Sequence, residues 1–444
     1  MSKEQEIEEI LTRGVSTFID PDGSFKKKLT ENPEKVVIKF GVDPTRPDLH
    51  LGHAVVLRKL RQLQNLGCKV VFLIGDFTGS IGDPTGISKI RPEIERAEIE
   101  ANMKTYLDQV GKILSTDKKV FSWITNSDWF YNFSDLFFGE NPDQNISKQI
   151  DLYIKTRMQT QVLGNPKLEQ ITIRGFLWTL RHVTHARLIE RDMFRDRINS
   201  NSELYMHEMM YPVLQGIDSH VLANIYGSCD LEIGGSDQTF NMLMGRDVMK
   251  MNKQKEQAVM SMEIIEGLDG TQKMSKSLDN YIGITETPGD IYGKIMSLPD
   301  RLITKYFTLA THTPMSDIEK MEQDLKGEKV NPRDLKMQLA KQIVFEYHGE
   351  AGANSAEEDF VSKFQKKEIP DEMEEVKISG DGSLADVLVE KKIVESKSEW
   401  RRLVEAGAIM NLDTKEKVSD PNIKLEKDTP LKIGKHRFVK IVIE

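Results

Sequence analysis

The run from Val36 to Val42 is short, apolar and β-branched, and it leads through DPTRPDLHLGH into an amphipathic stretch from Ala54 to Leu66. A second continuous apolar run, KVVFLIG at 69–75, follows almost at once. Runs of this length without polar alternation fit parallel strands covered on both faces. Helical patterns at 91–114, 184–198 and 236–251, with strand candidates at 229–233 and 256–264, continue the alternation. Strands alternating with helices imply an α/β chain built on an open, doubly wound parallel sheet, with ligands at the carboxyl ends of its strands.

After Ile284 the pattern becomes helical, with Pro288, Pro299, Pro314 and Pro332 marking boundaries. The expected organisation is a catalytic domain over 1–284, a helical domain over 285–365, a linker over 366–383 and a last compact module over 384–444. The linker reading rests on KKEIPDEMEEVKISGDGS, which is charged, holds Pro and Gly, and shows little apolar periodicity. A chain of 444 residues is long enough for three such domains.

Composition excludes several classes. With 39% hydrophobic and 30% charged residues the chain reads as globular. It lacks any apolar run of about 18 residues, so no membrane span is expected. The acidic start MSKEQEIEEILTRGV reads as a helix without signal-peptide character, and the expected compartment is cytoplasmic. Two cysteines, Cys68 and Cys229, are too few for a disulfide framework or a cysteine-based zinc site. The net charge of −9 argues against indiscriminate nucleic-acid binding. From Val376 onward, however, 14 Lys and Arg face 12 Asp and Glu, so this part carries about +2 and the remainder about −11. RNA contacts are therefore expected toward the C-terminus.

Two short segments carry chemistry. HLGH at 50–53 follows a strand and opens a helix, where paired histidines, backbone N–H donors and the positive end of the macrodipole suit a phosphate. Gly52 would let a nucleotide lie close to the backbone. A zinc pair or ordinary surface histidines are the alternatives. KMSKS at 273–277 sits in a polar loop after the turn GLDG at 267–270, and its two lysines are mobile point charges suited to a polyphosphate. A solvated Lys/Ser loop is the alternative. A third pattern, Tyr211, Gln215 and Asp218 in YPVLQGID, has spacings of four and three, which place all three on one helical face. They can converge on one ligand, or Tyr211 can be core and Asp218 an exposed charge.

HLGH and KMSKS together resemble the two signatures of class I aminoacyl-tRNA synthetases, in order and spacing. GDPTG at 82–86, YPVLQGID at 211–218 and GGSDQ at 234–238 resemble the tyrosyl-tRNA synthetases in the same order. NPRDLKMQLAKQIVFEYHGE at 331–350 resembles the same family, and SKSEWRRLVEAGAI at 396–409 resembles the RNA-binding S4 module. The resemblance implies a Rossmann-like catalytic domain, an α-helical anticodon-binding domain and a C-terminal α+β S4-like domain. It implies activation of L-tyrosine with ATP, then transfer to tRNA(Tyr), by a homodimer.

By the same resemblance Thr45, His50 and His53 sit over the phosphates while Lys273 and Lys276 close on them. Gly41, Asp43, Gly52, Gly234, Met274, Ser275 and Ser277 belong to the ATP site, with Asp237 on the ribose. Asp218 meets the phenol. Tyr211, Gln215 and Asp83 surround the ammonium group, Gln238 faces the carboxylate region, and Thr78 completes the tyrosine pocket. Mg²⁺ is expected with ATP, held through phosphate oxygens and water, because no carboxylate cage is evident and no metal site of the protein's own is expected. Ser396, Lys397, Arg401 and Arg402 are expected on tRNA phosphates, against the alternative that the module is only a cap.

The resemblance is broken at several positions. Lys39 stands where many members place a second tyrosine at the phenol, so Asp218 is expected to act with a different partner. Phe40 replaces a smaller residue near the ribose, and Ile87 a mobile lysine, with Lys89 and Arg91 nearby. About Ser134 to Thr172 looks like an insertion in the region that usually builds the dimer interface. A tryptophanyl enzyme of the same fold, and an RNA-binding relative that has lost catalysis, are the competing readings.

Overall fold

A computed structural model describes residues 2–45, 47–84, 96–130 and 170–362, and in the C-terminal part 373–378, 383–391, 393–414, 416–423, 425, 427–434 and 437–443. The insertion expected at 134–172 falls almost wholly outside these residues, as do Thr85 and Gly86 of GDPTG, Ile87, Lys89 and Arg91. By compactness the chain divides into Met1–Glu357 and Glu358–Glu444.

The larger unit is built on a six-stranded sheet. Its strands are β1 (Val15–Ile19), β2 (Val37–Val42), β3 (Lys69–Ile74), β4 (Phe121–Thr125), β5 (Leu231–Gly235) and β6 (Ala258–Met262). Their order is β1-β6-β5-β2-β3-β4, parallel throughout except that edge strand β1 runs antiparallel to β6. The chain therefore moves outward from β2 through β3 to β4, then returns to β5 on the other side of β2. This reversal leaves a crevice at the carboxyl ends of β2 and β5, where an open α/β sheet binds its ligand. Val37 to Phe40 of β2 and Val70 to Ile74 of β3 are buried, as their unbroken apolar runs require. Lys39 is the exception inside that run and is fully buried.

Three expectations change in detail. The acidic N-terminal helix spans Lys3–Thr12, closed by a capping box between Ser2 and Gln5, but Gly14 at φ 65° turns the chain into β1, a strand not anticipated. The helix expected over 184–198 is two, His185–Ile189 and Asp192–Asn199, separated where Arg191 takes extended backbone angles. The pattern over 236–251 begins with a 3-10 turn, Ser236–Gln238, before the helix Thr239–Met251. Helices Met206–Tyr226 and Thr239–Met251 cross closely at Gly216, where a Cβ would lie 2.9 Å from the Met244 carbonyl oxygen.

After Ile284 helices follow as expected. The longest, Pro332–Phe360, is broken at Gly349, whose φ of 71° and ψ of −177° are not helical. Among the described residues no helix is long and apolar enough to cross a membrane.

The smaller unit corrects the linker expected at 366–383. Glu374–Ile378 forms β7, which pairs in parallel with β10 (Arg437–Ile443); β10 pairs antiparallel with β9 (Thr429–Ile433), and β9 with β8 (Ile409–Asn411). Val376 and Ile378 point into the core with Leu388, Trp400, Leu431 and Ile441, while Glu375 and Lys377 are exposed. Two apolar residues inside an acidic run give too short an alternation to be read as a strand; pairing with β10 supplies what local sequence lacks.

Candidate active site

A cavity of ≈ 860 Å³ opens at the crevice between β2 and β5. HLGH, KMSKS, GGSDQ and the inner face of helix Met206–Tyr226 all contribute to its wall. Every site residue expected in the larger unit lines it except Ser277. The side chain of Ser277 is outside the described residues, and its backbone lies in the 3-10 turn Lys276–Leu278.

At one end His50 is the N-cap of helix Leu51–Asn65, and its Nδ1 accepts from the Gly52 N–H at 3.1 Å. His53 Nδ1 accepts in turn from the His50 N–H at 3.3 Å, closing a capping box made of two imidazoles whose rings lie 4.0 Å apart. Burial, and then the charges of Lys276 and Lys273, drive His53 down to about 4 and His50 lower still. Both rings are neutral at pH 7. With Nδ1 accepting, each carries its proton on Nε2 as a hydrogen-bond donor.

This capping corrects the expectation that backbone donors of the helix serve a phosphate. Leu51 N–H donates to the Ile282 carbonyl, Gly52 to His50 Nδ1, and His53 and Ala54 both to the His50 carbonyl. All four N-terminal donors are engaged, leaving the imidazole N–H groups and the dipole to act on an anion. Gly52 is also needed for a nearer reason, since a Cβ there would stand 2.9 Å from His50 Nδ1. The loop lysines are tied down as well. Lys273 Nζ lies 2.7 Å from Asp237 Oδ2, and Lys276 Nζ donates to the Asp48 carbonyl with the Asp48 carboxylate 3.7 Å away. Between them Met274 is buried, its N–H on the Ile265 carbonyl, and the Ser275 N–H donates to Asn280 Oδ1.

The other end is a buried polar pocket. Asp218, 3% exposed, accepts from Trp129 Nε1 at 3.0 Å and from Asn126 Nδ2 at 3.5 Å. Burial pushes its carboxyl up to about 7, against the opposing pull of Lys39 and these two donors. Asn126 Nδ2 also donates to Thr78 Oγ1 at 2.9 Å, Thr78 to Asp43 Oδ1 at 2.8 Å, and the Tyr211 hydroxyl to Asp43 Oδ2 at 2.7 Å. Asp43 thus belongs to this network, although the resemblance assigns it to ATP. Tyr211 is held protonated by burial and by the neighbouring carboxylates, Asp43 first.

Asp83 is joined to Arg191 at 3.1 Å and to Gln238 Nε2 at 2.5 Å. The break between the two short helices aims Arg191 at this carboxylate. Gln215 Nε2 donates to Glu232 Oε1 at 2.9 Å, which leaves the Gln215 amide oxygen as its acceptor on the cavity wall. Gly234, expected to permit close approach of the nucleotide, packs on Gln238: a Cβ there would lie 3.3 Å from Gln238 Cβ.

Sequence reading missed Asn126, Trp129, Arg191 and Glu232. TNSDW at 125–129 leaves the carboxyl end of β4, the place where ligand-facing residues collect, but β4 itself was not anticipated. Arg191 lies inside what reads as one helix, and Glu232 inside a strand.

In the smaller unit Ser396 caps helix Lys397–Glu405, accepting from the Glu399 N–H at 3.2 Å. Lys397 pairs with Asp386, while Arg401 and Arg402 are exposed one turn further along.

A family model described as tRNA synthetases class I (W and Y) matches residues 31–365. The tyrosine–tRNA ligase of Francisella tularensis is 39% identical over 100% of this chain and 100% of its own length. That of Carboxydothermus hydrogenoformans is 39% identical over 98% of this chain and 97% of its own. Among solved structures, a tyrosyl-tRNA synthetase from Archaeoglobus fulgidus complexed with L-tyrosine shares 18% identity at a TM-score of 0.55, covering 80% of this chain and 100% of that one. A truncated mitochondrial tyrosyl-tRNA synthetase of Aspergillus nidulans shares 20% at 0.58, covering 81% and 94%. At these identities the structures establish likeness of fold.

Proposed function

We propose, from the premise that this chain belongs to the class I tRNA synthetase family of tryptophan and tyrosine and is a tyrosine–tRNA ligase, that its cavity holds tyrosine at the Asp218 end and ATP at the histidine end. One observation carries this reading. A buried acceptor, Asp218, and a cationic loop, Lys273 to Lys276, face the same ≈ 860 Å³ space.

Activation needs no protein nucleophile. The tyrosine carboxylate oxygen attacks the α-phosphorus of ATP, the bond to the β-phosphate bridging oxygen breaks, and pyrophosphate leaves with the negative charge. The chain's work is orientation and charge stabilisation. Neutral His50 and His53 donate from Nε2 to phosphate oxygens, with Thr45 beside them. Lys273 and Lys276 exchange Asp237 and Asp48 for the triphosphate as charge builds, freeing Asp237 for the ribose. Gly41, Gly52, Gly234, Met274, Ser275 and Ser277 frame the nucleotide. Because Asp83 already has Arg191, the ammonium group rests chiefly on the lone pairs of Tyr211 and Gln215, while Gln238 borders the carboxylate.

The residues at the phosphate end are imidazoles and ammonium groups, which fit phosphate oxygens and do not offer the oxygen ligands that Mg²⁺ takes. Mg²⁺ accordingly belongs to the triphosphate and its water, supplying charge neutralisation there. In the smaller unit Ser396, Lys397, Arg401 and Arg402 form a basic helix start suited to the backbone of tRNA(Tyr). We assign the helical region an anticodon-binding role and the chain a homodimeric state by family analogy; Ile173, Leu177 and Trp178, exposed at 80%, 55% and 40%, support an interface near the insertion.

Calorimetric titration of tyrosine and phenylalanine into the wild-type protein and Asp218→Asn tests the pocket. Tyrosine binding that weakens toward the phenylalanine level supports it, and tyrosine affinity unchanged by the substitution contradicts it.

A further inference from the structure

Lys39 and Glu232 are register partners on adjacent parallel strands β2 and β5, and their side chains, 1% and 2% exposed, form an ion pair at 2.9 Å. The Lys39 ammonium donates to the Gln215 carbonyl at 2.8 Å and to Ser219 Oγ at 2.9 Å, with Glu232 Oε1 as its ionic partner. Glu232 is saturated. Its Oε1 accepts from Gln215 Nε2 and pairs with the Lys39 charge, and its Oε2 accepts from Ser219 Oγ at 3.1 Å and from Gln257 Nε2 at 2.5 Å.

The helix packed above leaves space for this cluster. A Cβ on Gly245 would stand 2.4 Å from Gln257 Nε2, 2.9 Å from Glu232 Oε2 and 2.9 Å from Ser219 Oγ. Three elements thus meet around one carboxylate: the sheet, the helix bearing Gln215, Asp218 and Ser219, and the helix bearing Gly245. A buried ion pair is a poor source of stability compared with apolar residues of the same volume, so its place beneath the substrate wall calls for another account.

We propose that the Lys39–Glu232 pair is a positioning device for tyrosine selection, with Glu232 orienting the Gln215 amide toward the ammonium group and Lys39, bonded to the Gln215 carbonyl and Ser219 Oγ, fixing the helix turn that presents Asp218 to the phenol. The proposal rests on the reading that Asp218 receives the phenol. In place of a second hydroxyl at the ring's far end, this chain puts a buried cation bonded to the helix that carries Asp218. The charged and titratable groups acting on Asp218 are Lys39 from β2, Glu232 from β5 and Tyr211 from its own helix; Trp129 and Asn126, from the segment after β4, are neutral donors. Lys39 is the cation among them.

The two halves of the device act at different parts of the substrate. Glu232 acts through Gln215 on the ammonium group, which tyrosine and phenylalanine share. Lys39 acts through Asp218 on the hydroxyl, which only tyrosine has. Pyrophosphate exchange with both amino acids, alongside thermal melting, is to be measured for E232Q, for the neutral double variant K39M/E232Q, and for D218N.

E232Q is expected to raise KM for tyrosine and phenylalanine together, roughly tenfold, with kcat little changed and their ratio of kcat/KM preserved. K39M/E232Q removes both charges at once, so no lone buried charge opposes folding. It is expected to show the same rise in KM and, in addition, a roughly tenfold fall in the tyrosine-over-phenylalanine ratio. A merely structural pair would lower the melting temperature and move neither quantity. A folded double variant with wild-type KM and wild-type ratio overturns the proposal, and so does an E232Q enzyme with unchanged KM should the double variant not fold. If D218N itself leaves the ratio unchanged, the phenol assignment fails first, and the proposal falls with it for that separate reason.

Discussion

Lys273 Nζ and Asp237 Oδ2 lie 2.7 Å apart across the mouth of the cavity, so the cation assigned to the triphosphate and the carboxylate assigned to the ribose neutralise each other before nucleotide enters. Lys276 is held in the same way by Asp48. These contacts keep the loop positioned with its charges masked, and the proposed closure on ATP would exchange each of them for a phosphate or hydroxyl contact. In that proposal the exchange is completed as negative charge moves onto pyrophosphate, so its benefit would fall on the chemical step.

Lys276→Ala is accordingly expected to slow adenylate formation by about 10²-fold while tyrosine affinity stays within about twofold. Single-turnover kinetics with equilibrium titration of tyrosine separates the two. An equal loss in both would remove Lys276 from the transition state.

Asp218 and His53 bend the pH dependence of stability in opposite directions. Asp218 is raised from 3.8 to about 7, so its contribution is fully present below about 3.8 and is lost as pH rises through about 7. His53 is lowered from 6.5 to about 4, so its contribution is present above about 6.5 and is lost as pH falls through about 4. In melting curves between pH 4 and 7.5, Asp218→Asn should therefore gain relative to wild type toward the alkaline end. His53→Gln should gain toward the acid end. Parallel profiles for wild type and both variants would refute this account of the two groups.

Arg191 and Asp83 are both buried, at 6% and 8% exposure, and removing the cation alone takes away their 3.1 Å ion pair. Arg191→Met is expected to cost about 3–5 kcal/mol in denaturant unfolding, and Arg191→Met with Asp83→Asn to recover most of it. A single variant within about 0.5 kcal/mol of wild type would show that the pair is not structural.

The parts of the site that could be read from sequence are those written in consecutive residues. HLGH, KMSKS, YPVLQGID and GGSDQ each keep their functional groups within two turns of helix or one loop, so spacing alone brings them together. The supports are long-range. Trp129 reaches Asp218 from 89 positions away and Lys39 reaches Ser219 from 180. No periodicity signals such meetings. Lys39 stood out only because it stands where the resemblance places a second tyrosine, and its partners required the register of β2 against β5. Strand β7 failed to show for the opposite reason, since its local sequence is acidic and only β10 makes it a strand. The histidine pair was legible, but its capping role was not, because capping depends on the ring orientation of His50 over Gly52.

Removing Glu374 to Glu444, which takes β7 with the rest of its sheet, should leave adenylate formation within about twofold of wild type and weaken tRNA(Tyr) charging. The deficit in tRNA binding should be largest at low salt and narrow as salt rises, because the contacts proposed for the exposed Arg401 and Arg402 are with phosphates and are themselves weakened by salt. Filter binding and charging between 50 and about 200 mM salt measure this. Charging unaffected by the deletion would take the module out of the mechanism.

Amino-acid-dependent pyrophosphate exchange, run with each of the twenty amino acids, tests most directly that one cavity joins a tyrosine pocket to an ATP site. The arrangement of Asp218, Trp129 and the histidine–lysine mouth predicts exchange with tyrosine, with phenylalanine lower by orders of magnitude. Exchange driven by tryptophan, or by no amino acid at all, would contradict it.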